Sequence, residues 1–273
     1  MKQHFTIING EFLDKETASI LVTDLSVQRG YGIFDFFKTI NKRPIFLEDH
    51  LDRFFYSVAE MNLKSDLKRD QLKKMVLQLI DKNDIPNSGI RITLTGGDSE
   101  DGYSIAKPNL IITQAPFENN PDDFKTGIRL MTHEHQRQLP HVKTIDYLYA
   151  IYLQRLIREK KADDVLYHNQ SEITECPRAN FFVITHNNEV ITPAKNILRG
   201  VIRKKILNFS QLVNIREGLI TIKDLQNAKE AFITSSTKNV LPVVKIDNNV
   251  IGDGKPGEIT TKISRKLMEL ISH

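Results

Sequence analysis

Residues 175–203 read ECPRANFFVITHNNEVITPAKNILRGVIR. Asn180 to Thr185 and Glu189 to Thr192 are apolar-rich runs of strand length. Leu198-Arg199-Gly200 then sets a glycine where a helix begins, and the helix is predicted to run to about Leu212. A helix N-terminus with a close-approaching backbone suits a phosphate group, because its first N–H groups have no partner inside the helix. Further on, Ala231 to Thr234 reads as a short strand feeding the hydroxyl-rich turn Thr234-Ser235-Ser236-Thr237, a second place where a phosphate could sit. Taken singly, the plainer reading of the first is an ordinary helix entry and of the second an ordinary strand-ending turn.

Working outward, the chain opens on a hairpin: Phe5 to Ile8, the turn Asn9-Gly10, and Glu11 to Leu13. Ile20 to Val22 and a turn at Arg29-Gly30-Tyr31-Gly32 precede a buried strand, Ile33 to Ile40. From Leu47 to Leu63 the apolar residues Leu51, Phe54, Phe55, Val58 and Met61 recur three or four apart, and Leu67 to Asp81 repeats the pattern, so two helices are predicted. Strands at Ile90 to Leu94 and Leu110 to Thr113 complete a small α+β domain over residues 1–115. A polar stretch with two prolines, residues 116–123, is the predicted linker, and residues 124–273 form a larger domain. In it, a strand at Ile128 to Met131 leads to Lys143, then come a helix over Tyr147 to Lys161, further strands, and a last helix over Gly257 to Ile271.

The 273 residues are 40% hydrophobic and 26% charged, a balance that suits a globular enzyme. A formal charge of +4, from 38 basic and 34 acidic residues, is too small an excess to mark a nucleic-acid binder. Apolar runs are only a few residues long, which argues against a membrane span. Cys176 is the lone cysteine, and the first residues lack a signal-peptide pattern, so a cytoplasmic location is expected. His133-Glu134-His135 could offer two imidazoles to a metal, but no third ligand is suggested and no metal is expected. Lys143 lies among Val142, Ile145, Tyr147 and Leu148, surroundings that lower an amine's basicity and make it a nucleophile, although a surface lysine is the plainer reading.

The order of these segments resembles the fold-type IV pyridoxal-5′-phosphate (PLP) enzymes, the class IV aminotransferases. The most specific part is Glu175, four residues, Asn180-Phe181-Phe182, then Thr192-Pro193 and Gly200-Val201-Ile202-Arg203; Pro177 stands where that pattern has a small residue. His50-Leu51-Asp52-Arg53, Val142 to Leu148, and Ser236 with Leu241-Pro242-Val243 match further family segments. The resemblance implies an α+β small domain with a larger barrel-like α/β domain, and a homodimer acting on amino and keto acids. Carried over by position, Lys143 would form the Schiff base and shuttle the proton. Glu175 would pair with the pyridinium nitrogen, Tyr147 would reach the cofactor hydroxyl, and Arg53, the backbone of Val201 and Ile202, and Ser236 would hold the phosphate.

Within the family, the segment after Arg91 reads Thr95-Gly96-Gly97, where many D-amino-acid transaminases and lyases have Thr-Arg-Gly. The usual carboxylate-binding arginine is therefore missing. Arg29 and Arg178 are the candidates to replace it, with Phe34 as an apolar wall and Thr237 as a further substrate contact; Arg91 fits a branched-chain enzyme, which would keep an aromatic wall with that arginine nearby. A D-amino-acid transaminase with an unusual carboxylate site is the expected activity. The branched-chain L-amino-acid aminotransferases and the aminodeoxychorismate lyases are the alternatives, and a catalytically silent binding homologue is the distant one.

Overall fold

The structure, a computed structural model, describes residues 3–118 and 122–272. The chain forms two compact units. One comprises Met1–Glu118 and Val142–Asp146, the other Asn119–His141 and Tyr147–His273. Residues 142–146, expected to lie wholly within the larger domain, are thus grouped with the small one. Residues 119–121 of the predicted linker lie outside the described residues.

In the first unit the strands are β1 (Phe5–Ile8), β2 (Glu11–Asp14), β3 (Gly32–Ile40), β4 (Arg43–Pro44), β5 (Ser88–Thr95) and β6 (Leu110–Pro116), and the helices are α1 (Leu25–Arg29), α2 (Leu47–Glu60) and α3 (Arg69–Asn83). The strands form one antiparallel sheet in the order β2-β1-β6-β5-β3-β4. Asn9-Gly10 closes the first hairpin with Ile8 opposite Glu11, as the two-residue turn requires. The helical spacing of α2 turns Leu51 and Phe54 into a core that also holds Phe37, Leu72, Leu79, Ile90 and Ile92. Each such side chain contributes about 1.5–3 kcal/mol by leaving water. The segment Ile20 to Val22 is not a strand: Leu21 and Val22 are exposed, and α1 follows, capped by the Asp24 side chain on Ser26 N–H.

The second unit begins with α4 (Asp122–Thr126) and β7 (Ile128–Glu134). The predicted helix over 147–161 is two short ones, α5 (Leu148–Tyr152) and α6 (Gln154–Glu159), broken at Leu153. Then come β8 (Asp164–Asn169), β9 (Glu172–Ile173), β10 (Glu175–Cys176), β11 (Ala179–Ile184) and β12 (Glu189–Pro193). Next are α7 (Val201–Leu207), β13 (Asn214–Gly218), α8 (Ile222–Gln226), β14 (Glu230–Ser235), β15 (Asn239–Ile246), β16 (Asn249–Val250) and α9 (Glu258–Ser272). The ten strands make a mixed sheet with the main order β13-β12-β11-β14-β15-β7-β8-β9; β12–β13, β15–β7 and β7–β8 are parallel. Phe181, Val183, Ile233, Val243, Leu130 and Leu166 fill its core. Buried Glu230 anchors α9 by accepting from the N–H groups of Ile259 and Thr260. Among the described residues no helix is long and apolar enough to cross a membrane.

Candidate active site

Lys143 is held by backbone pairing within the first unit. Its carbonyl accepts from Phe34 N–H at 2.9 Å, Ile145 N–H donates to Gly32 O at 3.0 Å, and Thr144 bridges to Ile33. Val142 is buried in the core beside them. Gly32 is required here for space: a Cβ would come within 2.9 Å of Leu94 O and 3.1 Å of the Ile145 side chain. The amine of Lys143 lies over the ring of Phe34 at 4.4 Å from its centroid, and the guanidinium carbon of Arg91 lies 3.7 Å from the same centroid. One buried aromatic ring therefore carries both a primary amine and a guanidinium, each attracted by its π-face.

Successive strand residues point to opposite faces, so Asp35 leaves β3 on the side away from Phe34. It is completely buried. Arg53 of α2 grips it with two parallel bonds, Nε to Oδ2 and Nη2 to Oδ1, both 2.8 Å. His50 Nδ1 lies 2.7 Å from Oδ1, and Phe36 N–H also donates to that oxygen. Burial alone would push the Asp35 carboxyl up, but the charges of Arg53 and His50 outweigh it and hold it well below the usual carboxylate range. Burial lowers the basicity of His50, against the pull of Asp35.

In the second unit, Glu175 is buried and both its oxygens are engaged. Oε1 accepts from Arg137 Nε at 2.9 Å and Nη2 at 2.7 Å, and Oε2 accepts from Leu198 N–H at 2.9 Å. The Leu198 carbonyl in turn accepts from Asn180 Nδ2 at 2.7 Å. The Leu198 peptide is therefore gripped on both sides by two members of the sequence pattern, the acid and the Asn five residues on. Gly200, the N-cap of α7, has no room for a Cβ because Asn180 Oδ1 occupies that space. Arg203 is buried and ties β12 to β13, donating to Thr192 Oγ1, Pro193 O and Glu217. Helix α7 packs on β14, where Thr234 Oγ1 is buried without a hydrogen-bond partner among the described residues. The turn beyond it is organised by Ser235, whose hydroxyl meets Thr237 Oγ1 at 3.0 Å and accepts from Lys238 N–H. Val201 and Ile202 are buried, and Ser236 and Thr237 are half-buried.

The remaining expected site residues lie as follows. Tyr147 is half-buried at the start of α5 in the second unit. Arg29 is exposed at the end of α1, its Nη1 donating to Gln28 O. Arg178 is exposed in the turn between β10 and β11. His133 pairs with the Tyr149 hydroxyl and His135 stacks on the Tyr149 ring at 4.2 Å; no group of three metal-ligating side chains occurs among the described residues. Two residues escaped sequence reasoning, Arg137 and Asp35, and the partnership of His50 with Asp35 went with the second. Asp35 had a usable signal, since an acid inside a run as apolar as Ile33 to Phe37 must be paired. Arg137 had none, because its partner is 38 residues away.

The class IV amino-transferase family model matches residues 32–246, a span that takes in every one of these features except Arg29. The chain is a class IV aminotransferase. It is 29% identical over 264 residues to the D-alanine aminotransferase of Staphylococcus haemolyticus, covering 94% of each chain. Among solved structures it resembles the Escherichia coli branched-chain amino acid aminotransferase, with a TM-score of 0.91, 21% identity and coverage of 99% of this chain and 95% of that one. The T.th. branched-chain amino acid aminotransferase with pyridoxamine 5′-phosphate is similar at a TM-score of 0.90 and 18% identity, covering 100% of this chain and 95% of that one. The fold is that of the fold-type IV enzymes, and this aminotransferase is PLP-dependent. The second unit by itself holds groups that fit the cofactor: a buried carboxylate paired with a guanidinium, and a buried Thr234 hydroxyl with no hydrogen-bond partner among the described residues, next to a hydroxyl-rich turn.

Proposed function

We propose that this class IV aminotransferase moves the amino group of a D-amino acid to a 2-keto acid such as 2-oxoglutarate. The observation that carries an amino-acid substrate is the Phe34 ring with the Lys143 amine and the Arg91 guanidinium on it, a nucleophile and a carboxylate-binding cation held by one side chain. Preference for the D series is supported by the D-alanine aminotransferase relative, which matches along nearly the whole chain.

The cofactor supplies an electron sink that stabilises negative charge developing at the substrate Cα. The protein supplies the rest. Lys143 would be the amine that holds the cofactor and handles the proton at Cα, Glu175 would pair with the ring nitrogen, and Tyr147 would hydrogen-bond the ring hydroxyl. Arg53, with two donors committed to Asp35, would hold the phosphate, as would the N–H groups of Val201 and Ile202 and the hydroxyl of Ser236. Arg91 receives the substrate carboxylate beside the Phe34 wall, with Arg29 and Arg178 as further cations for a second carboxylate. The same reading makes the enzyme a cytoplasmic homodimer that takes small amino and keto acids.

The Arg91–Phe34 stack also favours a second reading, transamination of branched-chain L-amino acids. Mixing the PLP-loaded protein with D- and L-alanine, glutamate and leucine, with and without 2-oxoglutarate, and following the cofactor absorbance separates the two. Conversion by the D series supports the proposal. Conversion by L-leucine alone replaces it with the branched-chain reading.

A further inference from the structure

We propose that Arg137 is a positioning residue that decides which atom carries the proton shared by Glu175 and the cofactor's ring nitrogen. This rests on the PLP reading above and deepens it. Arg137 is tied down at both ends of its contact: Nε and Nη2 converge on Glu175 Oε1, while Nη2 also donates to Pro140 O at 2.5 Å. The Glu175 side chain is 5% exposed and that of Arg137 19%, so the pair is little screened by water.

A guanidinium in such contact favours the ionised form of a carboxylate. With Arg137 present, Glu175 is a weak base, and a proton placed between it and the ring nitrogen stays on nitrogen, which keeps the ring positively charged. Without Arg137 the same carboxyl group, buried and deprived of its guanidinium, takes the proton from nitrogen to its own oxygen. The ring becomes neutral and a poorer electron sink. Arg137 has a second effect through the same carboxylate. Glu175 Oε2 secures the Leu198 peptide two residues before the N-cap of α7, so loosening Glu175 loosens the turn proposed to bind phosphate.

The test compares wild type, Arg137→Met and Arg137→Lys, each loaded with PLP labelled with ¹⁵N in the ring. Nitrogen NMR reads the protonation of that atom directly, and equilibrium dialysis gives the affinities for PLP and for pyridoxal without phosphate. Wild type is expected to show the protonated ring. Arg137→Met should show the unprotonated one, with kcat lowered about ten- to hundredfold, KM for the amino donor changed less than about threefold, and PLP held about tenfold more weakly. Arg137→Lys should restore the protonated signal and most of kcat. An Arg137→Met protein that keeps the protonated signal overturns the proposal. So does one in which Met and Lys variants lose activity equally and the apoprotein melts earlier, a purely structural role. If wild type forms no lysine-linked chromophore with PLP, the cofactor assignments themselves fall, a result distinct from either.

Discussion

Replacing Asp35 with asparagine removes one negative charge from the most completely buried ionic cluster of the first unit, at almost unchanged volume. The carboxylate accepts two bonds from Arg53 and one each from His50 and Phe36 N–H. The Arg53 side chain is only 9% exposed, so it is left as a buried cation. Breaking one partner of such a pair costs about 3–5 kcal/mol. For a chain of this size that corresponds to a fall in Tm of roughly 6–20 °C, at about 2–4 °C per kcal/mol. The pH dependence follows from the depressed carboxyl. Its folded value lies below the ordinary 3.8, so the stabilisation is present above that pH and is lost as pH falls towards the folded value. Below pH 3.8, wild type should lose about 1.4 kcal/mol per pH unit from this group, a loss Asp35→Asn cannot suffer. Urea unfolding of both proteins from about pH 7 to about pH 3 measures this. A deficit under about 1 kcal/mol at neutral pH, or parallel pH profiles for the two proteins, refutes the reasoning.

Lys143→Ala should abolish transamination while retaining non-covalent PLP, because the residues proposed to hold the phosphate do not include the amine; dialysis and absorbance spectra check this, and near-normal turnover would remove the central assignment. Arg91→Met should lower kcat/KM for amino acids about ten- to hundredfold and spare amines without a carboxylate, whereas a loss confined to Arg29→Met or Arg178→Met would move the carboxylate to those residues. Burial lowers the Lys38 amine from 10.5 to about 8, so between those pH values the unfolded chain binds the extra proton and stability rises with pH. Lys38→Met should therefore stabilise the protein by up to about 3 kcal/mol at neutral pH and by much less at pH 10.5, as urea melts at the two pH values would register.

The long periodic elements were legible in the sequence because their burial repeats within one element. The α2 and α3 faces, the Asn9-Gly10 hairpin and α9 all follow from local spacing. The broken helix at Leu153 and the exposed Leu148, Ile151 and Tyr152 did not follow, since apolar spacing says nothing about which side of a short helix is covered. Likewise, the order of Glu175, Asn180 and Gly200 pointed to one constellation, and the Leu198 peptide explains why the three belong together. Pairings between distant residues stayed hidden: Arg137 sits in the loop after β7 and meets Glu175 only in the folded unit, and the stacking of Arg91 on Phe34 depends on the register of β3 against β5.

The return of residues 142–146 to the first unit has a consequence for synthesis on the ribosome. The N-terminal sheet emerges first, yet the backbone groups of Gly32 and Phe34 acquire their partners only when Thr144 and its neighbours arrive. Until residues 119–141 have also been made, Val142 is absent from the core it completes. The nascent first unit is therefore unfinished for as long as that stretch takes to translate, and its last stabilising contacts come with the segment that carries Lys143.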